Sequence, residues 1–105
     1  MKFIVSLTAR AEQDRQRAFE WYAANYSVEF ATRWFSGITH AMHSLPHMPE
    51  RCHKAREDEC FSFSLHELLY GKRMKHRVLF RIQASEVVVL HIRHSAQHDL
   101  AEGDL

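Results

Sequence analysis

Between His66 and His98 this chain gathers side chains suited to phosphate chemistry. The candidate cations are Lys72, Arg73, Arg77, Arg81 and Arg93, and the candidate proton carriers are His66, His94 and His98. Cutting RNA by attack of a 2′-hydroxyl needs a base, an acid for the leaving oxygen, and cations on the phosphate. Histidine suits either proton step because its unperturbed pKa lies near neutrality. Residues two apart on a strand share a face, so Arg77 goes with Arg81, and Arg93 with His91 rather than His94. A site using both Arg93 and His94 therefore needs the strand to twist or end there. The plain alternative is that His91 or His94 is a satisfied, half-buried residue.

Other chemistries find less support. His40, His43 and His47 would share a face on a continuous helix, but Pro46 ends that helix before His47. No acidic or cysteine ligand stands obviously near them, so no metal and no cofactor is expected. With three glycines there is no phosphate-binding loop. Cys52 and Cys60 lie in a polar stretch without a C-x-x-C and read as reduced thiols, with a loop disulfide or thiol switch as the alternative.

Charge is unevenly spread. Residues 1–65 carry eight Lys/Arg and eight Asp/Glu, residues 66–94 carry +4, and residues 95–105 carry −3, for a net charge of +1. A basic sheet face attracts phosphate or an acidic partner, although an ordinary solvated face has the same signature.

The elements that must hold these side chains are legible from periodicity. A chain of 105 residues is one domain with one modest core. Residues 3–7 read as a strand, with Thr8 placed to cap a helix from Ala9 to about Tyr26. Asn25-Tyr26-Ser27 breaks the pattern, and Ser27 can cap the next helix. Ala31, Trp34, Phe35, Ile38, Met42 and Leu45 form its apolar stripe, and Pro46 and Pro49 stop it. Two helices so closely joined fold back as an antiparallel hairpin, with shared aromatics facing a sheet. Trp21 lies off the first helix's stripe, which leaves it exposed to a partner or tucked under a loop.

Residues 46–60 have no period and read as a surface loop with a helical turn around Glu57. From Phe61 the period is two: Phe61, Phe63 and Leu65 alternate with Ser62, Ser64 and His66, which predicts a strand. A turn at Tyr70-Gly71-Lys72 leads to a strand through Val78, Phe80 and Ile82. After Ala84-Ser85-Glu86, the run Val87 to Ile92 is apolar on both faces and predicts the most buried strand. Helix and disorder both fit the tail 95–105. No apolar run approaches a membrane span or a signal peptide, so a cytoplasmic protein without membrane attachment is expected.

That order is an α+β layer fold: an N-terminal strand, a helical hairpin on a mainly antiparallel sheet, and three C-terminal strands completing it. Over nearly the whole chain it resembles the ParE/RelE toxins of type II toxin–antitoxin (plasmid stabilisation) systems. The residues that carry the resemblance are LTARAEQD, LPHMPERC, LLYGKRMKHRVLFRI and VVVLHIRH. It implies a single toxin domain that inhibits growth and is neutralised by a small, often acidic antitoxin. The target is DNA gyrase, bound without chemistry in the ParE-like mode, or the ribosome and its mRNA, cut in the RelE-like mode. A member that keeps the fold but has lost toxicity is a third reading.

RNA-cutting relatives carry an Arg just after the last strand, where this chain has Ser95-Ala96-Gln97-His98. That departure and the small net charge favour the ParE-like mode. In the cutting mode, Lys72, Arg77 and Arg93 would hold phosphate and His98 would transfer the proton. In the binding mode, Trp21, Arg73, Arg81, His66 and His94 would contact target or antitoxin. A homodimer or a toxin–antitoxin hetero-oligomer is the implied assembly.

Overall fold

The computed structural model describes residues 3–47, 49–71 and 75–94. Its elements are β1 (Ile4–Leu7), α1 (Ala9–Asn25), α2 (Val28–Met42), β2 (His66–Tyr70), β3 (His76–Gln83) and β4 (Glu86–His94), with short 3-10 turns at Pro49–Arg51 and Asp58–Cys60. The four strands form one sheet in the order β1-β4-β3-β2. The β2–β3 and β3–β4 pairs are antiparallel, while β1 lies parallel to β4. No helix among the described residues is long and apolar enough to cross a membrane.

Both caps expected from the sequence are made. Thr8 Oγ1 accepts the Ala11 N–H at 3.1 Å, and Ser27 Oγ accepts the Phe30 N–H at 3.0 Å. Each satisfies a donor that the first helical turn cannot pair internally. The helices pack through an edge-to-face Phe19–Phe35 contact and a 3.0 Å bond from Arg15 Nη1 to Thr39 Oγ1. One core lies between this hairpin and the sheet, built on Tyr22, Trp34, Ile38, Met42, Val78, Phe80, Val87, Val89 and Ile92. Burial of side chains of this size contributes about 1.5–3 kcal/mol each.

The sheet's other face is covered too, by the loop between α2 and β2. Ala55 and Leu65 pack on Leu79, with Phe61, Phe63 and Leu90 against them. Here two expectations need correction. Phe61 to Ser64 is not part of a strand; β2 begins only at His66. Phe61 and Phe63 are nevertheless half-buried and Ser62 and Ser64 exposed. The alternation marks a bent loop segment laid over an apolar cluster, and among the described residues no strand pairs with it. Nor is the 46–60 stretch only surface, because Ala55 and Glu57 are buried.

Close packing between the hairpin and the sheet edge sets one strict requirement. A Cβ added to Gly37 of α2 would lie 1.8 Å from the hydroxyl of Tyr70 on β2. Gly37→Ala must therefore displace the Tyr70 ring. The loss of packing should outweigh the roughly 1 kcal/mol gained in helix propensity. A net loss of about 1–2 kcal/mol in urea denaturation is expected. An unchanged or higher midpoint would mean that the ring moves away freely.

Candidate functional site

Two places on this fold assemble charged and aromatic side chains. The first is the loop-covered sheet face. Arg77, 2 % exposed, donates from Nη1 to Glu57 Oε2 at 2.8 Å and from Nη2 to Glu57 Oε1. Its Nε donates to Glu67 Oε1 at 2.9 Å, and His53 Nε2 meets the other Glu67 oxygen at 2.8 Å. Glu57 itself is 1 % exposed. The bidentate bonds from Glu57 hold the Arg77 pKa above its ordinary range, against desolvation and with help from Glu67. Arg93 lies across the ladder from Arg77 and is 8 % exposed.

The sequence reading puts Arg77 and Arg93 on a phosphate in the RNA-cutting mode alone, and the fold buries both. A phosphate could reach Arg77 only by displacing two carboxylates and the loop that carries one of them. Arg81, expected on the same face, lies with its guanidinium 4.2 Å from the Phe63 ring centroid. His66 is fixed as well, with Nδ1 3.0 Å from the Cys52 carbonyl and its ring stacked on Phe80. Cys52 and Cys60 are both free thiols, and burial pushes the Cys52 thiol up despite the neighbouring Arg51. Lys72, Arg73 and His98 lie outside the described residues.

The second place is an open groove of about 600 Å³ between α1 and the end of the sheet. Its α1 wall is Arg10, Asp14, Arg17, Ala18, Trp21 and Tyr22, and its floor is His76, His91, Ile92 and His94. The wall residues Arg10, Asp14, Arg17 and Trp21 follow one another at steps of four, three and four, which is one face of a helix. Trp21 is 54 % exposed. It meets Tyr22 edge to face and Tyr26 at a tilt.

The floor depends on a register shift. Leu79 pairs with His91 while Phe80 pairs with Val89, so Leu90 is an extra residue in β4. Simple alternation would set His91 beside Arg93 and apart from His94. With the bulge, His91, Ile92 and His94 all line the groove, and Arg93 does not. Asp14 then joins helix to strand: Oδ2 lies 2.5 Å from His91 Nδ1 and accepts the Ile92 N–H at 3.1 Å, while Arg10 Nε donates to Oδ1 at 3.2 Å. Behind them His76 is held by Trp34 Nε1, which donates to Nδ1 at 3.3 Å, and by the Tyr22 hydroxyl, 3.3 Å from Nε2.

Burial pushes the Asp14 pKa up, but the His91 and Ile92 bonds, the His91 charge and Arg10 outweigh it and hold the carboxyl below 3.8. A group with a lowered folded pKa stabilises the fold above its unfolded pKa and loses that contribution as pH falls through the folded value. Asp14→Asn should therefore cost about 1–3 kcal/mol at pH 7. The difference from the parent chain should shrink once the pH drops below about 4. Parallel urea titrations at pH 7 and pH 3 measure this, and an equal gap at both would remove the carboxylate's role.

Of the residues singled out in the sequence, the groove brings together Trp21 and His94. Arg10, Asp14, Arg17, Tyr22, His76 and His91 were not marked as site residues there. The helical spacing of Arg10, Asp14, Arg17 and Trp21 was a signal that could have found four of the wall positions. His76 and His91 had no such signal, because their placement depends on the hairpin's packing and on the bulge.

The family model described as "ParE toxin of type II toxin-antitoxin system, parDE" matches residues 5–99. The chain belongs to the ParE toxin family. Among solved structures, a chain described as "Chromosomal ParDE TA system from P. aeruginosa" is similar at 18% identity and a TM-score of 0.73. The match covers 89% of this chain and 96% of that one, and at such low identity it speaks for the fold. Among curated proteins none matches. The ParE fold, with its hairpin and four-stranded mixed sheet, is thus shared across nearly the full length of both chains.

Proposed function

We propose that this ParE-family protein arrests growth by binding an essential target, DNA gyrase, without cutting RNA, and that an antitoxin holds it inactive. The observation that carries this reading is the burial of Arg77 under Glu57 and Glu67. Cleavage of RNA needs cations that can reach a phosphate and strengthen their hold as charge builds in the transition state. An arginine already paired with two carboxylates in the interior offers no such charge. Arg93 is buried as well, at 8 % exposure. What the protein exposes instead is an aromatic and basic groove, which suits binding.

The test is induced expression in a bacterial host, with total mRNA and chromosomal DNA followed over the first minutes. Intact mRNA with DNA breaks and filamentation is the expected result. Rapid, translation-dependent mRNA cuts at codon boundaries would overturn it in favour of a ribosome-dependent endonuclease. Unimpeded growth with soluble, folded protein would mark a member that has lost its toxicity.

A further inference from the structure

Among the described residues one stretch of the groove wall is left open, and the strand on the groove floor ends beside it. Asp14 takes up Arg10 and His91, so these three groups largely satisfy one another. Arg17 is exposed, and nothing among the described residues forms an ion pair with it. Trp21, also exposed, stands one helical turn further along, about 6 Å away in rise, on the same face. β4 advances along this wall in the direction of α1. Thr8 Oγ1 donates to the Leu90 carbonyl, Asp14 accepts the Ile92 N–H, and Tyr22 meets His76, which pairs with His94. The strand therefore brings the chain, at His94, to the end of the groove where Trp21 and Tyr22 stand.

The sequence continues from there as SAQHDLAEGDL, which carries −3 directly after a sheet region of +4. We propose that residues 95–105 turn back along α1 and cover the groove of their own chain, with Leu100 on the Trp21 ring and Glu102 paired with Arg17. Spacing selects these two residues. In an extended segment residues two apart share a face and lie roughly 6.5 Å from each other, which matches the rise between Trp21 and Arg17. Residues 95–99 lie between His94 and Leu100, and at about 3.3 Å each they are long enough to reverse the chain. Opposite charge favours the approach, and Asp14, already engaged by Arg10 and His91, does little to oppose it. A tether this short holds the acidic segment at a local concentration on the order of millimolar, so contacts too weak to join separate molecules are populated within one chain. Such a cover must lift before any other molecule can use Trp21, whatever that molecule is. The proposal therefore stands apart from the choice of toxin target.

The full chain labelled with nitrogen-15 provides the readout, because its two indole N–H signals report on different places. Trp21 lies in the groove, whereas Trp34 is buried and bonded to His76. Removal of residues 95–105 is expected to move the Trp21 signal and to leave the Trp34 signal in place. A capped peptide of the 95–105 sequence, added to the shortened chain, should return the Trp21 signal saturably to its position in the full chain. Arg17→Glu should weaken that peptide about tenfold, the worth of one hydrogen bond between charged groups. In the full chain, Arg17→Glu and Glu102→Lys should each move the Trp21 signal toward its position in the shortened chain. The two together should restore it, because the pair is re-formed with its charges exchanged. Added salt should act like either single change, since it screens an exposed pair.

A Trp21 signal that is the same with and without residues 95–105 would overturn the proposal. So would a signal that drifts on dilution toward its position in the shortened chain, because the segment would then come from a second copy. Failure of the double charge exchange to restore the signal would remove the Arg17–Glu102 pair. If shortening the chain also moved the Trp34 signal, the fold itself would depend on the segment. The charge-exchange variants, which keep the full chain length, would then decide the matter alone. None of these measurements uses toxicity, so the failure of this proposal and the failure of the toxin reading remain distinguishable.

Discussion

Arg77→Ala should destabilise the fold by about 3–5 kcal/mol, among the largest effects of any single change in this protein. The cause is what it leaves behind. Glu57, 1 % exposed, would lose both of its bonds to the guanidinium, and Glu67 would lose its bond to Nε. Two carboxylates with little access to water would then lose the Arg77 countercharge, which costs far more than the pair contributes when intact. The loop carrying Glu57 also covers Leu79 and Leu65, so its release would expose the second apolar cluster.

The double change Arg77→Met with Glu57→Leu should cost much less than Arg77→Ala, because it removes the buried charges at Arg77 and Glu57 together. Equilibrium unfolding of the two variants makes the comparison. If Arg77→Ala proved nearly neutral, the ion cluster would be hydrated, and the case against phosphate binding on this face would lose its footing.

The second large effect is expected at His76→Ala, about 2–4 kcal/mol. His76 is 4 % exposed and sits between Tyr22 and Trp34 in the middle of the aromatic cluster. Trp34 Nε1 can only donate, so Nδ1 of His76 must be its acceptor and carries no proton. In the neutral ring the proton is then on Nε2, pointing at the Tyr22 oxygen. Removing the ring strands the Trp34 N–H in the interior and opens a cavity behind the groove.

His76→Gln offers an amide N–H near the place of Nε2 and a carbonyl near Trp34, so it should recover part of the loss. His76→Leu fills the volume without an acceptor and should recover less. Thermal unfolding of the three variants ranks them. Leu equal to or better than Gln would show that volume matters here and the hydrogen bonds do not.

These two positions also show where reading the chain in one dimension reaches its end. Thr8 and Ser27 were legible as caps because capping is local: the hydroxyl bonds an N–H three residues on. The α2 stripe was legible for the same reason, since Ala31, Trp34, Ile38 and Met42 recur at the helical period and all four are buried. Phe61 to Leu65 misled because period two reports alternate burial, and a loop folded over Leu79 alternates as a strand does. Arg77 read as a free cation because Glu57 and Glu67, its partners, are 20 and 10 residues away along the chain. Trp21, by contrast, was placed correctly off the α1 stripe, and it is exposed.

Local rules were enough for the order of elements, the caps, the apolar faces and the likeness to ParE toxins, because each depends on residues within a few turns of one another. Which cations stay available did not follow from them. That was decided by a loop crossing the second face of the sheet, which neutralises Arg77, and by the extra residue at Leu90, which turns His91 toward Asp14. Charge–charge attraction at a few ångströms depends on distance in space and hardly on separation along the chain. The groove, with Arg17 exposed and Trp21 beside it, therefore exists only once the helix has been laid against the strand.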